Sequence, residues 1–95
     1  MIDVKEAVRI ASDYLVQLYD ASQLHDVLLE EVALSEDEEY WYVTIGFTRN
    51  IPSTDPMKAM TETILNQKKY TSREYKVFQI DSATGQVRSM KIRAA

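Results

Sequence analysis

One amphipathic segment, followed by short strand-forming runs, constrains the fold of this chain more than any other feature. Across residues 3–20, apolar side chains recur at spacings of four and three, which places them in one stripe along a helix of about five turns. Asp3 and Glu6 fit a capping box at its start. The stripe consists of Val4, Val8, Ala11, Leu15 and Leu18, widened by Ala7, Ile10 and Tyr14. A helix followed by hairpins predicts the α+β class.

Four later runs favour strands, at residues 25–34, 40–48, 72–81 and 86–93. The clearest is 40–48, where alternation directs one set of side chains towards the helix. That set is Trp41, Val43, Ile45 and Phe47. Gly46 falls on the other face, where a bulge or a close contact is expected, and Thr84-Gly85 supplies a positive-φ hairpin turn. The sequence therefore predicts one N-terminal helix packed on a four-stranded antiparallel sheet.

The chain of 95 residues predicts a single domain over 1–95. Within it, residues 50–71 fit neither strand nor a clear helix. Asn50, Pro52 and Pro56 interrupt the preceding strand, and apolar residues then recur at near-helical spacing. Both a short helix and a mobile loop are consistent with this stretch.

Several chemistries lack the residues that they require. The chain contains no cysteine, and its one histidine, His25, lies at the start of a strand. Neither glycine lies in a phosphate-binding loop, and the acidic run 36–39 lacks the ligand alternation of a calcium loop. We therefore expect no enzymatic activity, no cofactor and no metal. The N-terminus is not typical of a signal peptide and no run is long enough to span a bilayer, so we expect a cytoplasmic protein without membrane contact.

The charge is unevenly distributed. Residues 1–55 hold 12 Asp/Glu and three Lys/Arg, whereas residues 56–95 hold three Asp/Glu and eight Lys/Arg. Acidic and basic strands side by side in one sheet would explain this, as would a dipolar surface that steers a charged partner.

Glu30 and Glu31 are sequence neighbours on a strand, so alternation predicts that they point to opposite faces. A basic and aromatic run, Lys68, Lys69, Tyr70, Arg73, Tyr75 and Lys76, is compatible with RNA contact, but the net charge of −4 argues against nucleic acid as a partner.

The sheet face opposite the helix is predicted to be unusually aromatic. Strand alternation places Tyr40, Tyr42, Tyr75 and Val77 there. Such a face normally alternates to polar residues, and tyrosine is enriched at protein interfaces. These four residues are the candidate protein-binding site, for a second copy in a homodimer or for a different protein. The alternative is that residues 50–71 fold over them.

The order helix–strand–strand–strand–strand, with Trp41 on an early strand and Asp81, Thr84, Gly85 and Val87 in the last hairpin, resembles PepSY-like domains. That family carries a V-x-x-D-x-x-T-G-x-V type of hairpin after a tryptophan-bearing strand. The resemblance implies a cystatin-like architecture, in which one helix packs on a curved antiparallel sheet. It also implies a small binding or inhibitory module of the kind found beside peptidases. The long 50–71 stretch departs from the family pattern.

Three functions are compatible with the sequence. The first is a non-enzymatic protein-interaction module, a regulator or inhibitor, that binds through the tyrosine-bearing face or through residues 50–71. The second is an acidic immunity or antitoxin-like protein that blocks a basic enzyme through Glu30, Glu31 and the 36–39 run. The third is a small ligand-binding domain, although a single helix provides few side chains to line a pocket.

Overall fold

The computed structural model describes residues 1–49 and 73–93. Its elements are α1 (Val4–Leu18), a one-turn 3₁₀ helix (Ala21–Gln23), β1 (Leu24–Leu34), β2 (Tyr40–Arg49), β3 (Glu74–Asp81) and β4 (Val87–Arg93). The strands form one antiparallel sheet in the order β1-β2-β3-β4. The α+β prediction of one helix on a four-stranded antiparallel sheet is confirmed. The alternatives for 50–71 lie outside the described residues.

Helix α1 begins as its cap predicts, but its buried face differs from the predicted stripe. The Asp3 carboxylate accepts a hydrogen bond from the Glu6 backbone N–H at 2.8 Å. The Glu6 carboxylate pairs with the Arg9 guanidinium on the exposed surface of the helix. The fully buried helix residues are Ala7, Ala11 and Leu15. Val4 and Leu18, predicted to be in the stripe, are exposed because they lie in the terminal turns.

The core lies between α1 and one face of the sheet. Val43, Ile45 and Phe47 of β2 are buried there, as alternation predicts. Phe78 and Ile80 of β3 are also fully buried. Two aromatic pairs join the layers: Tyr14 meets Phe78 edge-on at 6.0 Å, and Tyr19 meets Phe47 at 5.6 Å. The small side chains of Ala7 and Ala11 let the helix backbone approach the sheet closely.

The half-buried Trp41 marks the end of the sheet where both hairpin turns meet the N-terminus. Its indole N–H donates to the Ile2 carbonyl at 3.1 Å, and the Ile2 N–H donates to the Ser82 carbonyl at 2.7 Å. The Ser82 N–H in turn donates to the Glu39 carbonyl at 2.9 Å. Three segments distant in sequence are thereby joined by backbone hydrogen bonds.

The β3–β4 turn forms as predicted. Gly85 has φ +77°, which other residues adopt at a cost. The Asp81 carboxylate accepts from the backbone N–H groups of Thr84 and Ala83 at 3.0 and 2.9 Å. These bonds, together with Arg88, hold the pKa of Asp81 below its usual range.

Candidate protein-interaction face

The four candidate residues lie on the same side of the sheet, the side that α1 does not contact. We call this side the open face. In the register, Tyr42 stands beside Gln79, Tyr75 beside Gly46, and Val77 beside Thr44. Tyr42 is 36% exposed, whereas Tyr40, Tyr75 and Val77 are half-buried. The structure thus brings the predicted residues together on one face, with Tyr42 the most accessible of them.

Tyr42 is positioned by its two cross-strand neighbours. On one side, the Gln79 side-chain amide donates to the Tyr42 hydroxyl at 3.3 Å. On the other side stands Ala33 of β1, whose side chain is a single methyl group. Tyr42 therefore presents an aromatic surface with its hydroxyl oriented by Gln79, an arrangement suited to contact with a protein surface.

The close contact expected at Gly46 is present. A Cβ atom on Gly46 would lie 2.5 Å from Oε1 of Glu30 and 3.0 Å from the Arg73 guanidinium. Glu30 and Arg73 form an ion pair at 2.7 Å directly over this glycine. A second nitrogen of Arg73 donates to the Asp26 carbonyl at 2.9 Å. The missing side chain of Gly46 thus gives room for a charged pair that ties β1 to the start of β3.

Glu30 and Glu31 both lie on the open face, contrary to the prediction from alternation. The register of β1 shifts between Leu29 and Glu31, and again between His25 and Leu28. The extra residue at a bulge moves one side chain to the face that its neighbour already occupies. Asp26, with φ +51°, lies in the other irregular stretch. The carboxylates therefore stand side by side instead of on opposite faces.

The second carboxylate of this pair reaches the far edge of the sheet. Glu31 of β1 pairs with Arg93 of β4 at 2.9 Å, so this contact crosses both inner strands. Thr44, which stands beside Glu31 in the register, is only 4% exposed although its face was predicted to be open. Charged pairs therefore cover the middle of the open face, and the aromatic surface at Tyr42 lies to one side of them.

These pairs account for part of the uneven charge along the chain. Acidic β1 meets basic Arg73 and Arg93 from the C-terminal part, although the strands involved are not neighbours in the sheet. Two carboxylates that an acidic blocking protein would use, Glu30 and Glu31, are thereby engaged within the chain. In the 36–39 run, Asp37 accepts from Ser35 at 2.6 Å and from the Glu39 N–H at 3.0 Å, and these bonds lower its pKa.

The remaining candidates from the sequence are dispersed. Of the basic residues considered for RNA contact, Arg73 is paired with Glu30 and Lys76 is 7% exposed on the helix side of the sheet. Lys68, Lys69 and Tyr70 lie outside the described residues. His25 is half-buried at the start of β1. Across residues 1–49 and 73–93, no three metal-binding side chains converge, and no helix is long and apolar enough to cross a membrane.

Sequence reasoning missed the apolar exposure of strand β1. Val27, Leu28 and Leu29 lie within the predicted strand 25–34, yet they are 43%, 58% and 50% exposed. The strand lies at the edge of the sheet, and its bulge removes these side chains from regular alternation. A strand with only one buried face normally alternates apolar and polar residues. Three consecutive apolar residues break that alternation, so they are the sequence signal for exposed apolar side chains on this strand.

No family model matches the sequence, and searches of curated proteins and of solved structures returned no significant match.

Proposed function

We propose that this chain is a non-enzymatic protein-interaction module that binds its partner through the open face. The proposal rests on one observation: Tyr40, Tyr42, Tyr75 and Val77 share the face that α1 leaves uncovered, and Tyr42 is exposed there. An aromatic ring with an oriented hydroxyl buries a large area at little cost in conformational freedom. The site residues are these four.

The charged pairs beside Tyr42 support this assignment. Glu30–Arg73 and Glu31–Arg93 are partly exposed, and they flank the aromatic surface at Tyr42 on the side towards the middle of the open face. An apolar or aromatic centre with a polar rim is the usual anatomy of a protein interface. A partner that covers Tyr42 would meet these charged pairs at one border of the contact.

The PepSY-like resemblance supports a narrower version, in which the module regulates or inhibits the protein that it binds. This version adds a requirement: binding through Tyr42 must change the partner's activity. The wider version needs binding alone.

Site-specific photo-crosslinking tests the proposal. A benzophenone side chain replaces Tyr42 in one variant and Val16, 50% exposed on α1, in a control variant, and both are expressed in the cells that make the protein. We expect a discrete adduct when the benzophenone is at position 42 and no such adduct when it is at position 16. The mass of the adduct separates a second copy of 11.0 kDa from a different protein. Equal adducts from both positions, or none from position 42, would refute binding through the open face.

A further inference from the structure

The two outer strands of the sheet carry opposite charge, and both expose apolar side chains. Strand β1 is acidic, with Asp26, Glu30 and Glu31, and exposes the apolar run 27–29. Strand β4 is basic, with Arg88, Lys91 and Arg93, and exposes Ile92 to 80%. Ile92 is the most exposed large apolar side chain among the described residues. The two edges are therefore complementary in charge, and pairing them would bury exposed apolar side chains on both.

The direction of the strands allows the two edges to pair between copies. Neighbouring strands of the sheet are antiparallel throughout, so β1 and β4 run in opposite directions. When β4 of a second copy is laid beside β1 with the helices on the same side, the new pair is antiparallel as well. The sheet would then continue from one copy to the next without a change of pattern.

One register satisfies the apolar and the charged contacts together. Ile92 and Leu29 both stand on the helix side, since their register partners Lys76 and Ile45 face each other there. Placing Ile92 of one copy beside Leu29 of the next sets Lys91 beside Glu30 and Glu31 on the open face. The contacts within the chain use Oε1 of Glu30 and Oε2 of Glu31. A carboxylate accepts at both oxygens, so each can also receive Lys91.

We propose that copies of this chain associate head to tail, with the β4 edge of one copy adding to the β1 edge of the next. The contact joins two different surfaces, so it is heterologous and forms open chains unless a rotation closes a ring. Lysine on an edge strand ordinarily opposes such pairing. Here the opposing edge supplies the carboxylates of Glu30 and Glu31, so Lys91 forms a favourable ion pair with them. The edge contact does not use the tyrosines of the open face, and it shares with the proposed binding site only the carboxylates of Glu30 and Glu31.

Two edge variants test the proposal by complementation in sedimentation velocity. Leu29→Lys alters the β1 edge and Ile92→Glu alters the β4 edge; both positions are at least half exposed, so folding is retained and is checked by circular dichroism. Lys91→Glu is a second β4 variant that leaves the apolar contact in place. Val16→Lys, at a similarly exposed position on α1, is the matched control.

For the wild type and Val16→Lys we expect a weight-average mass that rises with concentration above that of one chain, and a decrease of this association as salt is added. Each edge variant alone should lose the rise. An equimolar mixture of Leu29→Lys and Lys91→Glu should form a dimer and nothing larger, because each supplies one intact edge and the two substitutions lie on opposite faces of the sheet, so the altered edges do not compensate each other. A wild type that stays monomeric, an edge variant that associates like the wild type, or a mixture that stays monomeric would overturn the proposal.

Discussion

The two faces of the sheet are held by different interactions, although the same four strands supply both. On the helix side, Phe47, Phe78 and Ile80 are fully buried and pack against α1. On the open face, ion pairs from Glu30 and Glu31 cover Thr44 and Gly46, and Tyr42 stays accessible. Apolar burial contributes most of the stabilisation of a small domain, whereas partly exposed ion pairs contribute little. The helix side should therefore determine stability, and the open face can change with less effect on the fold.

The largest expected effect comes from two neighbouring residues of β3 that point to opposite sides. Phe78→Ala should destabilise the protein by about 3–5 kcal/mol, since it removes a fully buried ring that contacts Tyr14. Val77→Ala, on the half-buried open face, should cost about 1 kcal/mol. Urea unfolding of both variants measures the difference. Equal losses would contradict the assignment of the core to one face.

A smaller effect is expected where Trp41 joins the sheet to the N-terminus. Trp41→Phe keeps an aromatic ring on the helix side but removes the indole N–H that donates to the Ile2 carbonyl. The expected loss is about 1 kcal/mol, the usual value of one such hydrogen bond. A control at Tyr40, next in sequence and on the opposite face, is Tyr40→Phe. An equal or larger loss from the Tyr40 variant would argue against a special role for the indole.

These positions also show how far the sequence predicts the fold. Strand β2 was predictable because it alternates over nearly its whole length, and Val43, Ile45 and Phe47 on its helix side are buried as expected. Asp3 and Gly85 were predictable because a cap and a positive-φ turn each depend on one local residue type. The ends of the buried helix stripe were not, because periodicity does not tell which turns extend past the sheet.

The candidate face was predictable in membership and unpredictable in detail. Tyr40, Tyr42, Tyr75 and Val77 share a face because alternation in β2 and β3 is unbroken. The covering of that face by Glu30 and Glu31 depends on a bulge in β1, which shifts the register although no glycine or proline marks its position in the sequence. The partners Arg73 and Arg93 are more than 40 residues away in sequence, so no local pattern links them to β1.

The ion pair over Gly46 should contribute less than either substitution above. Its side chains are 25% and 31% exposed, and water screens the interaction. A double-mutant cycle with Arg73→Met and Glu30→Gln should give a coupling of roughly 0.5 kcal/mol that falls as salt is added. The cycle separates this coupling from the bond between Arg73 and the Asp26 carbonyl. A coupling several times larger would mean that the open face is a second structural core.

The largest effect on binding is expected at Tyr42. Tyr42→Glu should lower the free energy of unfolding by about 1 kcal/mol, because the side chain is 36% exposed and loses its contact with Gln79. It should abolish the adduct obtained by crosslinking from Tyr75 on the same face. Val16→Glu, at an exposed helix position, should leave that adduct unchanged. Retention of the adduct in the Tyr42 variant would separate the tyrosines from binding.

The proposed binding site requires that Tyr42 is open to solvent while Phe47 and Phe78 are not, and NMR with a soluble paramagnetic gadolinium chelate measures this directly. The probe attenuates the signals of protons that it can approach. We predict strong attenuation of the Tyr42 ring signals and weak attenuation of the Phe47 and Phe78 ring signals, in line with their exposure. If the Tyr42 ring is protected as well as the two buried phenylalanines, the open face is covered in the isolated protein and the proposed binding site does not exist.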